Sequence, residues 1–359
     1  MTDIKIKFEE VISALLDNDH IFPSKYWHRF SDLSRSDLIS LIKVWPEIDR
    51  DRKVALFEDL ERVAESDTLV NFDELAKVGL ADPDPAVKVL AIRSLWENED
   101  HHLVPILTEL MFGDPAEDVR AAAASALGKF VYLGELENIP ESIRILNVQN
   151  LLDVVNGEDL PMVRRRALEA LGFSSHPKIP EIIQNAINQE DPQWITSALY
   201  AIGRSADEQW AAYVMEHLNS SDNEIEFEAI RAAGELSLAE ARDPLLDKLE
   251  NTQDDAEKRY AIIWALSLIG GDGVKEIFED LLEKSDDEEE LDWLEKGLDN
   301  LELGNDLDNV GMMGFGNPKV ASNDSEDDLD DDYDSEDPED SDDLDIDDDD
   351  DIEDEEEDE

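Results

Sequence analysis

Apolar residues in this chain recur at helical rather than strand spacing. Near residue 165, Val163, Ala167, Leu168 and Leu171 fall on one helical face, with Arg164, Arg165 and Arg166 between them. The arrangement belongs to a pattern that repeats along the chain: an acidic turn, often with Pro, then Val-Arg, Ala three positions after the Arg, Leu four further on, and Gly. It reads DPAVKVLAIRSLW from Asp84, DPAEDVRAAAASALG from Asp114, EDLPMVRRRALEALG from Glu158 and DPQWITSALYAIG from Asp191. Weaker copies are DNEIEFEAIRAAG from Asp222, RYAIIWALSLIG from Arg259 and WLEKGLDNL from Trp293. Anchored on the central small residue, the copies fall at Ala91, Ala123, Ala167, Ala198, Ala229, Ala265 and Gly297, in steps of 31 to 44 residues.

An Asp-Pro pair before such a segment suits a helix start, because Asp caps free N–H groups and Pro has none to satisfy. A second amphipathic segment lies between copies, such as HHLVPILTELMFGD or IPEIIQNAINQED. Each period is therefore two helices and two turns, and neither helix buries its apolar face alone, so successive pairs must stack. No stretch longer than a few residues alternates as a strand does. The predicted fold class is all-α, a right-handed α-solenoid of stacked helix pairs.

The pattern D-P-x-x-V-R-x-x-A-x-x-A-L-G resembles the HEAT-like repeats of phycobilin lyases, with Val119, Arg120, Ala123, Ala126, Leu127 and Gly128 as the best match. The resemblance covers roughly 71–303 and extends to bacterial HEAT-repeat proteins of unassigned role. It implies the fold, and it is nearly silent on function. It also implies that Lys88, Arg120 and Arg164, which follow the motif Val, pair with turn aspartates of neighbouring repeats rather than forming an anion-binding ridge. Asp82, Asp114 and Asp159 are the candidate partners.

The flanks divide the chain further. Residues 1–70 are expected to be a helical cap on the first repeat, with an amphipathic helix over 8–16, a helix capped at Ser36-Asp37 and running to Trp45, and another marked by Val54, Leu56, Leu60 and Val63. The 44-residue step holds about a dozen extra residues, around VYLGELENIPES. They are expected to form a loop that folds over the adjacent repeat and carries Tyr132 and Leu136. The solenoid is placed at 71–303, a Gly-rich linker at 304–322, and a disordered acidic tail at 323–359.

Charge narrows the function. The chain carries 94 acidic against 30 basic side chains, a net −64; residues 323–359 hold 27 of the acids and no base, which leaves the rest at −37. Such a field repels nucleic acid and anionic membranes and attracts basic proteins. There is no cysteine, hence no disulfide or thiolate metal site. The opening segment lacks the layout of a signal peptide, and a soluble cytoplasmic protein is expected. The six histidines are scattered, His101-His102 reading as a polar turn, and the acidic run lacks the Gly of a calcium loop. Phosphate loops, dinucleotide fingerprints and nucleophile elbows are missing.

These observations predict a non-catalytic scaffold with no cofactor, no metal and no catalytic residue. Its partner is a protein with a basic surface rather than nucleic acid or membrane, and the tail steers association or maintains solubility. The alternative is a lyase or lyase-assisting factor of the phycobilin-lyase-like group. Positions two and six after the motif Val vary in chemistry while the positions between them stay apolar, as on a solvated face. There the expected partner-binding residues are Arg93, Arg165, Tyr200, Phe227 and Arg231.

Overall fold

The computed structural model describes residues 6–252 and 255–314. The expectation of a disordered acidic tail over 323–359 lies outside the described residues. All regular elements described are helical. In chain order they are α1 (Phe8–Leu15), α2 (Arg35–Val44), α3 (Arg50–Ser66), α4 (Asp73–Gly79), α5 (Pro85–Ser94), α6 (Leu103–Gly113), α7 (Glu117–Glu135), α8 (Glu141–Val155) and α9 (Pro161–Leu171). There follow α10 (Ile179–Ile187), α11 (Pro192–Arg204), α12 (Ala211–His217), α13 (Asn223–Glu235), α14 (Arg242–Asn251), α15 (Ala256–Ile269), α16 (Val274–Lys284) and α17 (Glu288–Gly314). Short 3-10 turns join some of them.

The seven motif copies form α5, α7, α9, α11, α13, α15 and α17, and their anchor residues are buried. From α5 to α15 each motif helix packs on the helix before it and on the motif helices of its neighbours. That is the stacking the pattern requires. The same packing begins one step earlier, because α3 lies on α5. Aspartates cap as anticipated at Asp84, Asp191 and Asp222, which accept from backbone N–H groups of the first helical turn. Two caps differ. Ser34, not Ser36-Asp37, caps α2, its hydroxyl accepting from the Asp37 N–H. At Asp114-Pro115 the helix opens two residues later, with Ala116 as cap.

The glycine that ends the second, third and fourth copies has a steric purpose. A Cβ at Gly128 would lie 3.0 Å from Ala170 Cα, one at Gly172 2.9 Å from Ala201 Cα, and one at Gly203 3.1 Å from Ala232 Cα. Adjacent motif helices thus meet glycine to alanine, each alanine three residues after its anchor. The next contact, 2.6 Å from Gly234 to Ala265 Cα, fixes the register of α15. Ala265 is the counterpart of Ala232, so the anchor position belongs to Ile262. The sequence register was one turn late because Lys258 stands where the motif Val should be, while Ala261 and Ala265 imitate the pattern. The step from Ala229 then shortens from 36 residues to 33.

Between motif helices runs a series of ion pairs. Lys88 Nζ lies 2.5 Å from Asp114, and Arg120 grips Asp159 with two hydrogen bonds of 2.8 and 2.7 Å. Lys53, which stands to its cap as Lys88 does, meets Asp82 at 2.7 Å upstream. Arg164 departs from the expected pairing: it donates to the Val155 carbonyl at 3.0 Å and lies over the Trp194 ring, since Trp194 occupies the neighbouring helix start. In α11 the position is Ile195, and in α13 it is Glu226, clamped by Lys248 and Lys258 at 2.6 Å each. Arg259, placed there by the corrected register, restores the original sign and holds Glu290.

The extra residues between the second and third copies do not make the loop expected of them. They lengthen α7 to Glu135 and form the start of α8, leaving a short turn. Tyr132 packs on Phe173 of the next repeat at 5.2 Å between ring centroids, and Leu136 is half exposed beside it. At the other end, α17 continues through the first part of the segment read as linker.

Candidate interaction surface

Two features stand out on the faces of the motif helices turned away from their partner helices. The first is an open groove of about 560 Å³ across α3, α5, α7 and α9. Its floor is Val54, Val89, Leu90, Ala121, Ala122 and Met162; Glu58, Asp118 and Arg166 stand on its rim. Small residues cause it. Where α7 carries Ala121, Ala122 and Ser125, side chains are too short to fill the space between α5 and α9.

The second feature is a run of alternating rings and guanidinium groups nearer the helix C-termini. Phe173 receives Arg204 at 5.2 Å, Arg204 stacks on Tyr200 at 3.7 Å, and Arg231 lies 5.4 Å from the same ring. Arg231 also bonds Glu228 and Glu235. Burial pushes the Tyr200 phenol up, with the Arg204 charge opposing, and burial likewise raises Glu228 against the pull of Arg231.

The five residues expected at the partner-binding face are therefore dispersed. Tyr200 and Arg231 come together. Phe227 is half-buried on α13. Arg93 is exposed and paired with Glu61 at 2.5 Å. Arg165 is half-buried with its Nε unpartnered, and desolvation lowers its pKa. Sequence reasoning missed the groove floor, since its alanines look like packing residues. It also missed Tyr260 and Trp264, which occupy positions two and six of α15 once the register is corrected.

His101 and His102 stack at 4.4 Å beside Asp100, and these three are the one group of potential metal ligands found in mutual reach among the described residues. Asp100 accepts from the His102 N–H at 3.0 Å, so the cluster closes the exposed turn before α6. No described helix is long and apolar enough to cross a membrane.

The family comparison agrees with this architecture. Among curated proteins no sequence match is found. A crystal structure of the Escherichia coli protein YibA is 16% identical, with 80% of this chain and 99% of that one covered at a TM-score of 0.41. An engineered protein is 18% identical over 82% of this chain and 88% of its own, with a TM-score of 0.34. A designed armadillo repeat protein is 18% identical over 64% of this chain and all of its own, with a TM-score of 0.31. The family model for HEAT repeats matches residues 72–147, 179–261 and 211–299, more than half of the sequence, and the chain belongs to the HEAT-repeat family.

Proposed function

We propose that this chain is a non-catalytic, cytoplasmic adaptor that holds a basic protein segment along the inner faces of its motif helices. The observation that supports this most is the groove over α3, α5, α7 and α9, an apolar floor open to solvent in a strongly acidic chain. A partner side chain buried on such a floor contributes about 1.5–3 kcal/mol, while the surrounding negative field draws cationic partners and speeds their encounter. Arg93, Arg165, Tyr200, Phe227 and Arg231 are the residues assigned to further contacts, and the acidic segment 323–359 to steering. The lyase alternative draws no support from the comparisons. The test replaces Val89 by Glu, which places a charge on the half-buried floor, and measures affinity for a protein captured from the native cell. A loss of at least tenfold with helicity unchanged is expected; unchanged affinity would remove the groove from the account.

A further inference from the structure

The C-terminal motif helices present a different surface from the groove. Tyr260 and Trp264 of α15 and Trp293 of α17 form one aromatic cluster. The Tyr260 and Trp293 rings are nearly parallel, 17° apart with centroids at 6.2 Å, and Trp264 meets Trp293 edge-on at 74° and 6.0 Å. Trp264 is 36% exposed, and Tyr260 and Trp293 are half-buried, so the three rings form a surface open to solvent.

The charges around the rings are unbalanced. Asp287 approaches the Tyr260 hydroxyl at 3.4 Å, and after burial the charges of Asp287, Glu289 and Glu290 push that phenol up. The nearby cations are committed: Arg259 to Glu290, Lys258 to Glu226, and Lys296 to Asp292 at 2.6 Å. Among the described residues neither Asp287 nor Glu289 forms an ion pair. One ammonium already lies over these rings, since Lys296 Nζ sits 5.4 Å from the Trp293 centroid.

The geometry points to the Tyr260–Trp264–Trp293 cluster as the anchor that receives lysine or arginine side chains of a basic partner segment. This rests on the adaptor reading and gives it a second contact, away from the groove. Aromatic faces attract cations electrostatically, and unpaired carboxylates at the edge add to that attraction.

All seven tryptophans precede residue 300, so tryptophan resonances report this site without interference from the acidic segment 323–359. Full-length protein labelled with 5-fluorotryptophan is titrated with octalysine in excess of that segment's charge, and total binding is followed in parallel by anisotropy of labelled peptide. Trp264→Phe and Trp293→Phe assign the two resonances. Both should move while those of Trp27, Trp45, Trp194 and Trp210 stay fixed, and Tyr260→Ala should weaken the response about three- to thirtyfold. Peptide binding with no movement of Trp264 and Trp293, or with uniform movement of all seven, overturns this anchor and leaves the adaptor reading standing. Absence of any binding at low salt overturns both. Movement with tetramethylammonium but not octalysine would make the site one for a small quaternary ammonium, against the inference.

Discussion

Replacing Gly234 by Ala tests the contact on which the stacking depends. In an isolated helix this change is favourable by about 1 kcal/mol, because Gly is a poor helix former. In the stack the added Cβ would lie 2.6 Å from Ala265 Cα and 2.8 Å from its Cβ, distances at which something must shift. The obstacle is backbone, with no flexible side chain to give way, so α13 and α15 must separate. Overpacking of this kind costs about 1–3 kcal/mol, and the obstruction by backbone places it toward the upper end. The expected net loss is about 1–2 kcal/mol. Gly128→Ala, whose Cβ meets Ala170 at 3.0 Å, should lose less. Gly113→Ala, with nothing within 4 Å, should gain up to about 1 kcal/mol. Urea unfolding followed by circular dichroism ranks the three variants, and hydrogen exchange in α13 and α15 localises the effect when unfolding is not one transition. Gly234→Ala as stable as Gly113→Ala would refute the close-approach reasoning.

The Arg120 hydrogen bonds hold the Asp159 carboxyl below its usual range against the opposing effect of burial. A depressed folded value gives stability that is present above the ordinary Asp range and lost as pH falls through the folded value. Asp159→Asn should therefore cost about 1–2 kcal/mol at neutral pH, with the difference from wild type vanishing toward acid; a constant difference in denaturation midpoints from pH 7 to 2 would contradict the pairing. Truncation after Ser322 should slow capture of a basic partner at low salt, and the deficit should shrink as the screening length falls from about 10 Å at 0.1 M to about 3 Å at 1 M; equal on-rates by stopped flow would reduce the acidic segment to a solubilising appendage. Tyr200→Ala and Phe227→Ala should each weaken partner binding in titration calorimetry, and destabilisation with binding intact would assign both rings to the core.

The fold was legible because each strong copy carries an apolar face and a small anchor, and most add a capping aspartate or a closing glycine. The glycine-to-alanine contacts explain why that last residue recurs. Legibility failed where one residue type served two ends. Lys258 replaces a core aliphatic residue because it is needed by Glu226, and the displaced register concealed Tyr260 and Trp264 from any argument about exposed positions. Arg164 failed to join its expected pairing although Glu190 and Asp191 precede the next motif helix, because it stacks on Trp194 and donates to the Val155 carbonyl instead, a fact visible only once the helices are side by side. The groove was unreadable for a simpler reason: Ala121 and Ala122 announce close packing, and a sequence does not show that none of the described helices comes to use the space.

The interrupted series of ion pairs also bears on how a load would travel along the stack. Pairs between helix starts resist sliding of one helix past the next. They join α3, α5, α7 and α9, then α13, α15 and α17. At α11 the corresponding side chain is Ile195, and that helix is joined to its neighbours by apolar packing, the Ser197–Glu169 hydrogen bond, the Arg204–Glu235 pair and the stacking of Arg164 on Trp194 and of Arg231 on Tyr200, with no ion pair between helix starts among the described residues. Shear should therefore concentrate on either side of α11. A molecule pulled from its ends would yield there first, as two stiff blocks hinged about one softer repeat.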